Sequence, residues 1–320
     1  MEDCSAEITT AVIIPVGKQP HWYHARLNTL DTFIKASLNP YFTAAQVLIF
    51  NNVNKDGPPE PDYTVTQVLS GLESSLRTES HGWVCRFLRN KKRGFYVFLR
   101  FFTLRLIASS KMKPQELQQL GPLGEGVHLC LLCLKAIMER HFGFCQVVTA
   151  SESSSEGQLP SSPALNVIAL SIAHQNVGLQ AKAFALDLLA TVCLMDGGAH
   201  RQLVLIAFDH VQREMPAEER RFQSLVHLFT TFAPFDRRLN VACMQFINIM
   251  VNVKPQDLSL RISLQVEFRM LGLDEAYLRE RLQHSCSSAE LQLHIQAYLD
   301  NIIDVGTFLG EHVFAIDSEQ

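Results

Sequence analysis

The chain has 320 residues, 47% of them hydrophobic and 19% charged, enough for a large core and too apolar for a disordered segment. A net charge of −4 excludes a nucleic-acid binder driven by overall charge, because neutralising phosphates needs clustered Lys and Arg. Apolar runs are broken by Asp, Gln, Arg or Lys before the ~18 residues that a membrane span requires.

The N-terminus lacks the basic-then-apolar order of a signal peptide, and Glu2 excludes the Gly needed for N-myristoylation. A soluble cytoplasmic protein with reduced cysteines is therefore expected. In residues 1–65, Pro15, Pro20, Pro40 and the run Gly57-Pro58-Pro59-Glu60-Pro61 are expected to break any long element, leaving a cap or linker. The stretch Ser80–Gln115 follows with nine Lys or Arg and no Asp or Glu, interleaved with Phe87, Phe95, Tyr96, Phe98, Phe101 and Phe102. Its aromatics suit a helix core. The close spacing of Arg89, Lys91, Lys92 and Arg93 also suits anionic lipid headgroups, so a membrane-surface or scaffold adaptor using residues 86–105 is the alternative reading.

From residue 127 onward the pattern is almost wholly helical. Periodicity and punctuation predict helices near 127–141, 163–174, 179–195, 200–214, 217–232, 236–252, 257–271, 275–284 and 289–309. Ser162 before Pro163 starts one of them, with Pro where its missing donor costs nothing. Gly197 and Gly198 stop another, since Gly takes the left-handed cap without strain. Residues 151–162, rich in Ser, Glu, Gly and Pro, read as a loop. Ser287 and Glu290 form a capping box ahead of a last helix carrying Leu291, Ile295, Leu299, Ile302, Val305 and Leu309 on one stripe. This helix is expected to close the core rather than to bind.

Three segments are alike. LCLLCLKAIM (129–138), FALDLLATVC (184–193) and VACMQFINIM (241–250) are apolar nearly all round and begin 55 and 57 residues apart. A helix of that kind must be buried between neighbours. Its regular return predicts an all-α fold, an armadillo-like α-solenoid. The spacing exceeds the ~40–47 residues of ordinary armadillo units, so the intervening segments must be longer.

Chemistry is poorly represented. Cys130 and Cys133 form C-x-x-C near His128 and His141, but they lie in a continuous apolar helix with no second pair, which makes them core thiols rather than metal ligands. There is no nucleophile elbow, Walker loop, dinucleotide turn or H-E-x-x-H. Glu218 and Glu219 sit at a helix start, where carboxylates cap. No enzyme and no cofactor are expected.

The segments LESSLRTESHGWVCRFL (72–88), VHLCLLCLKAIMERHFGF (127–144), ALDLLATVCLMDGG (185–198), LIAFDHV (205–211), VACMQFINIM (241–250), EFRMLGLD (267–274) and IQAYLDNIIDVGTFL (295–309) together resemble the formin-like proteins. The resemblance covers roughly residues 70–310 and implies the GTPase-binding and FH3 armadillo region of formins. On that basis 66–310 would be one armadillo-repeat domain, 1–65 a cap or linker and 311–320 a tail. The implied activity is recognition: binding a Rho-family GTPase of the Cdc42 or Rac type and clasping a formin C-terminal autoregulatory helix, to control actin organisation in the cytoplasm and at the cell cortex.

The resemblance places the GTPase contact at Arg77, Thr78 and Glu79, with Trp83 read as a packing residue. It places the groove for the autoregulatory helix at Lys135, Glu139, Thr191, Leu194, Gln245 and Asn248. Thr191 stands where the family has Ala, Glu139 where it commonly has Asn, and Glu79 and Ser80 replace a typical Asn-His. Where this chain reads RNKKRG (89–94), the family carries an acidic stretch. No counterpart of the polyproline FH1 or actin-assembling FH2 region occurs in these residues, so contact with actin is implied only indirectly, through an FH2 domain elsewhere.

Overall fold

The computed structural model describes residues 16–38, 64–89, 94–111, 123–149, 161–232, 236–283 and 288–303. Within them the chain forms fourteen α-helices, one short 3-10 turn and no strand. The chain divides into two compact units, Met1–Gly143 and Phe144–Gln320.

The first unit contains α1 (Pro20–Leu38), α2 (Val65–Thr78), α3 (His81–Arg89), α4 (Gly94–Lys111) and α5 (Leu123–Met138), and the chain leaves it within α6 (His141–Val148). Thr64 and Gln67 form a capping box at the start of α2, each side chain accepting from the other's backbone N–H. Helices α2 and α5 pack side by side and run parallel: Cys133 Sγ reaches Leu69 O, and farther along Arg140 Nη2 donates to Leu76 O and Glu79 O. Helix α1 packs on α4 and α3 through Tyr23, Leu27 and Ile34, all fully buried.

The second unit contains α7 (Pro163–Ala173), α8 (Leu179–Leu194), α9 (Arg201–Glu214), α10 (Gln223–Phe232), α11 (Arg237–Asn252), α12 (Leu258–Met270), α13 (Glu275–Gln283) and α14 (Ala289–Leu299). Ser162 caps α7 with Pro163 at its first position, as the sequence predicts. Gly197 and Gly198 take left-handed φ values of 60° and 84° after α8, the stop expected of them. Helix α11 lies between α8 and α14. It runs parallel to α8: Arg238 pairs with Asp187 near one end, and Cys193 Sγ meets Met250 Sδ at 3.3 Å near the other.

Every third helix is therefore equivalent, beginning at Val65, Leu123, Leu179, Arg237 and Ala289. This is the armadillo-type architecture. Two of the five escape an apolar-all-round search because one flank of each, such as Ser74, Arg77 and Thr78 on α2, is polar. The long repeat comes from two further helices and the connections in each interval, such as the eight residues 215–222 ahead of α10.

Three expectations are corrected. The prolines of the N-terminal region do not prevent a long element, because Pro20 sits at the start of the 19-residue α1 and Pro40 lies beyond its end. Helix α10 begins at Gln223 rather than near 217. Phe222 takes a left-handed φ of 65° so that its ring can pack 4.6 Å from Phe208 and 5.0 Å from Phe268. The last helix starts from Ser288, whose side chain accepts from Leu291 N, and ends at Leu299 rather than 309. Gln265 intercepts the chain there, donating to Asn301 O and accepting from Ile303 N. Ser287, Val305 and Leu309 lie outside the described residues.

Candidate functional site

In the first unit, the C-terminal end of α2 and the start of α3 form an exposed corner. Arg77 and Thr78 face solvent, with Arg77 Nε 3.1 Å from Glu73 Oε1 and Thr78 Oγ1 donating to Ser74 O. Glu79 is half-buried and caps α2: its N–H donates to Ser75 O, and its carbonyl accepts from Arg140 at 2.9 Å. Trp83 is the floor of this corner rather than its surface. It is 2% exposed, stacks on Phe87 at 5.8 Å, meets Tyr23 edge-on and donates through Nε1 to Lys18 O.

Lys135 and Glu139 are both exposed and lie 3.5 Å apart, one turn of helix from each other. Such a pair, half in water, is worth little to stability and leaves both charges available.

In the second unit, Thr191 and Leu194 lie on the open face of α8. Leu194 is 54% exposed and Met195 43%. Thr191 Oγ1 is turned back to Asp187 O at 2.8 Å, so its hydroxyl is satisfied within the helix and its methyl group is what the surface offers. On the parallel helix α11, Gln245 is half-buried, two turns beyond Arg238. The Arg238–Asp187 pair crosses from α11 to α8, one turn of helix before Thr191. Asn248 instead bonds a neighbouring helix, its Nδ2 donating to His294 O at 2.7 Å and tying α11 to α14.

Of the basic run, Arg89 is exposed with its guanidinium 4.1 Å from the Phe142 ring centre, and Lys91, Lys92 and Arg93 lie outside the described residues. Cys130 and Cys133 are fully buried, and burial pushes both thiols well up from their usual value. Glu218, also buried, accepts from the backbone N–H and hydroxyl of Ser224, a cap for α10 as its position suggests. Among the described residues no cluster of three or more His, Cys, Asp or Glu is arranged to hold a metal ion. Nor is any described helix long and apolar enough to cross a membrane.

Sequence reasoning misses the buried cations. Lys182, 5% exposed, donates from Nζ to Ile172 O at 2.7 Å, and burial pushes its pKa down to about 8. Arg201, 3% exposed, reaches Met250 O and Asp257. Arg221 forms a two-pronged pair with Glu267 and a further bond to Asp209 beside a depression of about 410 Å³ also lined by Arg220, Gln212 and Met270. These contacts span 10 to 56 residues of chain, and no local pattern announces them.

Residues 201–315 match the model of the Diaphanous FH3 Domain. The chain is 38% identical over 192 residues to the Formin-like protein of Drosophila melanogaster, a match covering 60% of this chain and 14% of that protein. It is 36% identical over 297 residues to Formin-like protein 1 of Homo sapiens, covering 77% and 25%, and 34% identical over 304 residues to human Formin-like protein 2, covering 77% and 26%. The chain is a homologue of the formin-like proteins. It spans about a quarter or less of the length of these relatives. Its fold is similar to that of E. histolytica Formin1, solved bound to EhRho1-GTPgammaS, with a TM-score of 0.55 at 12% identity over 93% of this chain and 83% of that one.

Proposed function

We propose that this formin-like chain is a regulatory module that acts by binding. One partner is the GTP-bound form of a Rho-family GTPase of the Cdc42 or Rac type, and the other is a formin C-terminal autoregulatory helix. Through them it controls actin organisation in the cytoplasm and at the cell cortex, touching actin only by way of an FH2 domain. Residues 66–310 carry this role, with 1–65 and 311–320 as flanking segments.

The observation that carries the reading is the likeness of fold to E. histolytica Formin1, which was solved with a Rho protein bound. The exposed corner supports it: Arg77 and Thr78 stand over a floor fixed by Trp83, so the contact residues are held without having to order on binding. For the autoregulatory helix, the strip of Thr191, Leu194 and Gln245 suits helix-in-groove recognition, with Leu194 as the apolar anchor. Lys135 and Glu139 offer a separate exposed charge pair on the first unit. Asn248 contributes by holding α14 against α11 rather than by touching the ligand. Occupation of one site by its partner would weaken the other, a reciprocal coupling.

The test is retention of Cdc42 and Rac, loaded with GTP or GDP, on the immobilised chain. The GTP forms are expected to be retained, and Arg77→Ala with Thr78→Ala is expected to lower retention about tenfold. Equal retention of both nucleotide forms, or none, overturns the GTPase half of the reading.

A further inference from the structure

The connection between α9 and α10 is fixed from several sides. Glu219 N and Arg220 N both donate to Gln223 Oε1, and Gln223 Nε2 donates to Ala217 O. From α9, Gln212 Nε2 reaches across to Glu219 O at 2.8 Å. Glu218 accepts from Ser224 N at 3.0 Å, and Phe222 keeps its left-handed backbone with its ring between Phe208 and Phe268. Two helices can be joined by a few unconstrained residues. What the ties achieve here is to present Arg220 and Arg221 from a backbone that does not move.

Both arginines line the depression whose other walls are Asp209, Gln212, Glu267 and Met270. Their states differ. Arg221 spends one N–H from each of its three nitrogens on Glu267 and Asp209, which leaves two of a guanidinium's five. Arg220 is exposed, and among the described residues its guanidinium makes no hydrogen bond or ion pair. Glu267 has both carboxylate oxygens engaged by Arg221, and Asp209 has one. The unspent groups in the depression are therefore mostly donors, and what they lack is an acceptor. Met270 stands beside them 64% exposed, and Val266, one turn earlier on α12 and 52% exposed, carries the apolar surface onward. A carboxylate with an apolar side chain next to it satisfies both features. The planar fork of Arg220 takes the two oxygens, and the unbranched thioether of Met270 adapts to the apolar neighbour.

We infer that the depression between α9, the turn leading into α10, and α12 docks an acidic segment of a partner protein, holding an Asp or Glu carboxylate on Arg220 and the adjoining apolar side chain on Met270. The site is separate from the GTPase corner and the autoregulatory strip, since none of its six lining residues belongs to them. Arg221 acts in it as a positioning residue, held by Glu267 and Asp209. Binding weakens with salt, because the recognising charge on Arg220 is exposed.

The experiment is fluorescence anisotropy of the whole chain with short labelled peptides of alternating Asp and Leu, Asn and Leu, Asp and Ser, or Lys and Leu. The Asp–Leu peptide is expected to bind at least about tenfold more tightly than the Asn–Leu and Lys–Leu peptides and about fivefold more tightly than the Asp–Ser peptide. Arg220→Ala is expected to weaken it about tenfold, Arg220→Lys less, because an ammonium keeps the charge and loses the fork, and Met270→Ser about fivefold. Both positions are exposed, so melting temperatures are expected to stay unchanged. In the methionine-methyl-labelled chain the Met270 resonance, assigned by its loss in Met270→Ser, is expected to shift as the Asp–Leu peptide is added. No binding of that peptide, equal binding of the Asn–Leu peptide, an unmoved Met270 resonance or unchanged affinity in Arg220→Ala overturns the inference. So does tighter binding of the Lys–Leu peptide, which assigns the depression to a basic partner, or a dimer of the chain that Arg220→Ala dissociates, which assigns it to a second copy.

Discussion

Arg201 Nη2 lies 2.6 Å from Asp257 Oδ2, joining the first residue of α9 to the residue that caps α12. The other carboxylate oxygen accepts from Leu260 N, and Arg201 Nη1 reaches Met250 O at the end of α11. One guanidinium thus fixes three helix ends. Arg201 is 3% exposed, and a buried charge that loses its partner costs far more than the pair itself contributes. Asp257→Ala is expected to lower unfolding stability by about 3 kcal/mol, through the stranded cation and the lost cap, whereas Asp257→Asn, which keeps the cap, loses less. Urea unfolding of the two variants measures the difference; equal losses would show that the cap contributes nothing, and an unchanged stability of Asp257→Asn would show that the ion pair is irrelevant.

Gly143 marks a close approach. A Cβ at this position would come within 2.0 Å of Ile137 O, a backbone atom that cannot swing aside. Gly143→Ala is therefore expected to destabilise the chain by about 3 kcal/mol despite the higher helix propensity of Ala. A thermal scan showing an unchanged or raised melting temperature would refute the packing argument.

Alkaline pH acts in two directions. Burial pushes the thiols of Cys130, Cys133, Cys193 and Cys243 up, Cys193 to about 12, so the folded chain holds protons that the unfolded chain releases near pH 9. Their stabilisation is complete below about pH 9 and is lost as pH rises toward 12. Lys182 has the opposite sign. With its pKa pushed down to about 8 from 10.5, the cost of burying its charge is complete below pH 8 and lifts between pH 8 and 10.5. The stability of Lys182→Met relative to the parent is thus expected to fall by about 2 kcal/mol from about pH 7 to about pH 10. Paired urea titrations at the two pH values read this directly, and a constant difference contradicts it.

Leu194 offers a cleaner separation of binding from folding. At 54% exposure, its replacement by Asp is expected to change stability by less than about 0.5 kcal/mol while weakening a formin autoregulatory peptide at least about tenfold. Calorimetric titration of the peptide tests this. Unchanged affinity would remove Leu194 from the groove.

What could be read in advance follows the range of the forces involved. Ser162, Pro163, Gly197 and Gly198 act on their own turn, so the limits of α7 and α8 were legible to within a residue or two. The apolar strings near 129, 184 and 241 were legible because burial on all sides leaves a composition signature. The turn at Phe222 was not, because it is held by rings contributed from α9 and α12. The end of α14 was not, because the interruption comes from Gln265, 36 residues earlier. Of the candidate site, Trp83 as floor was foreseen. The commitment of Asn248 to His294 was not, since a polar residue on a repeated helix looks the same whether it meets a ligand or a neighbouring backbone.

Within each unit the equivalent helices stack, α2 on α5 in the first and α8 on α11 in the second, and α11 has such a counterpart on each side, α8 and α14, whereas among the described residues α14 has only α11. Cooperativity in such a stack is local, each helix being only as secure as the neighbours it leans on. Amide hydrogens of α11 should exchange at the rate of global unfolding, and those of α14 orders of magnitude sooner. The last repeat would then open while the rest stays folded.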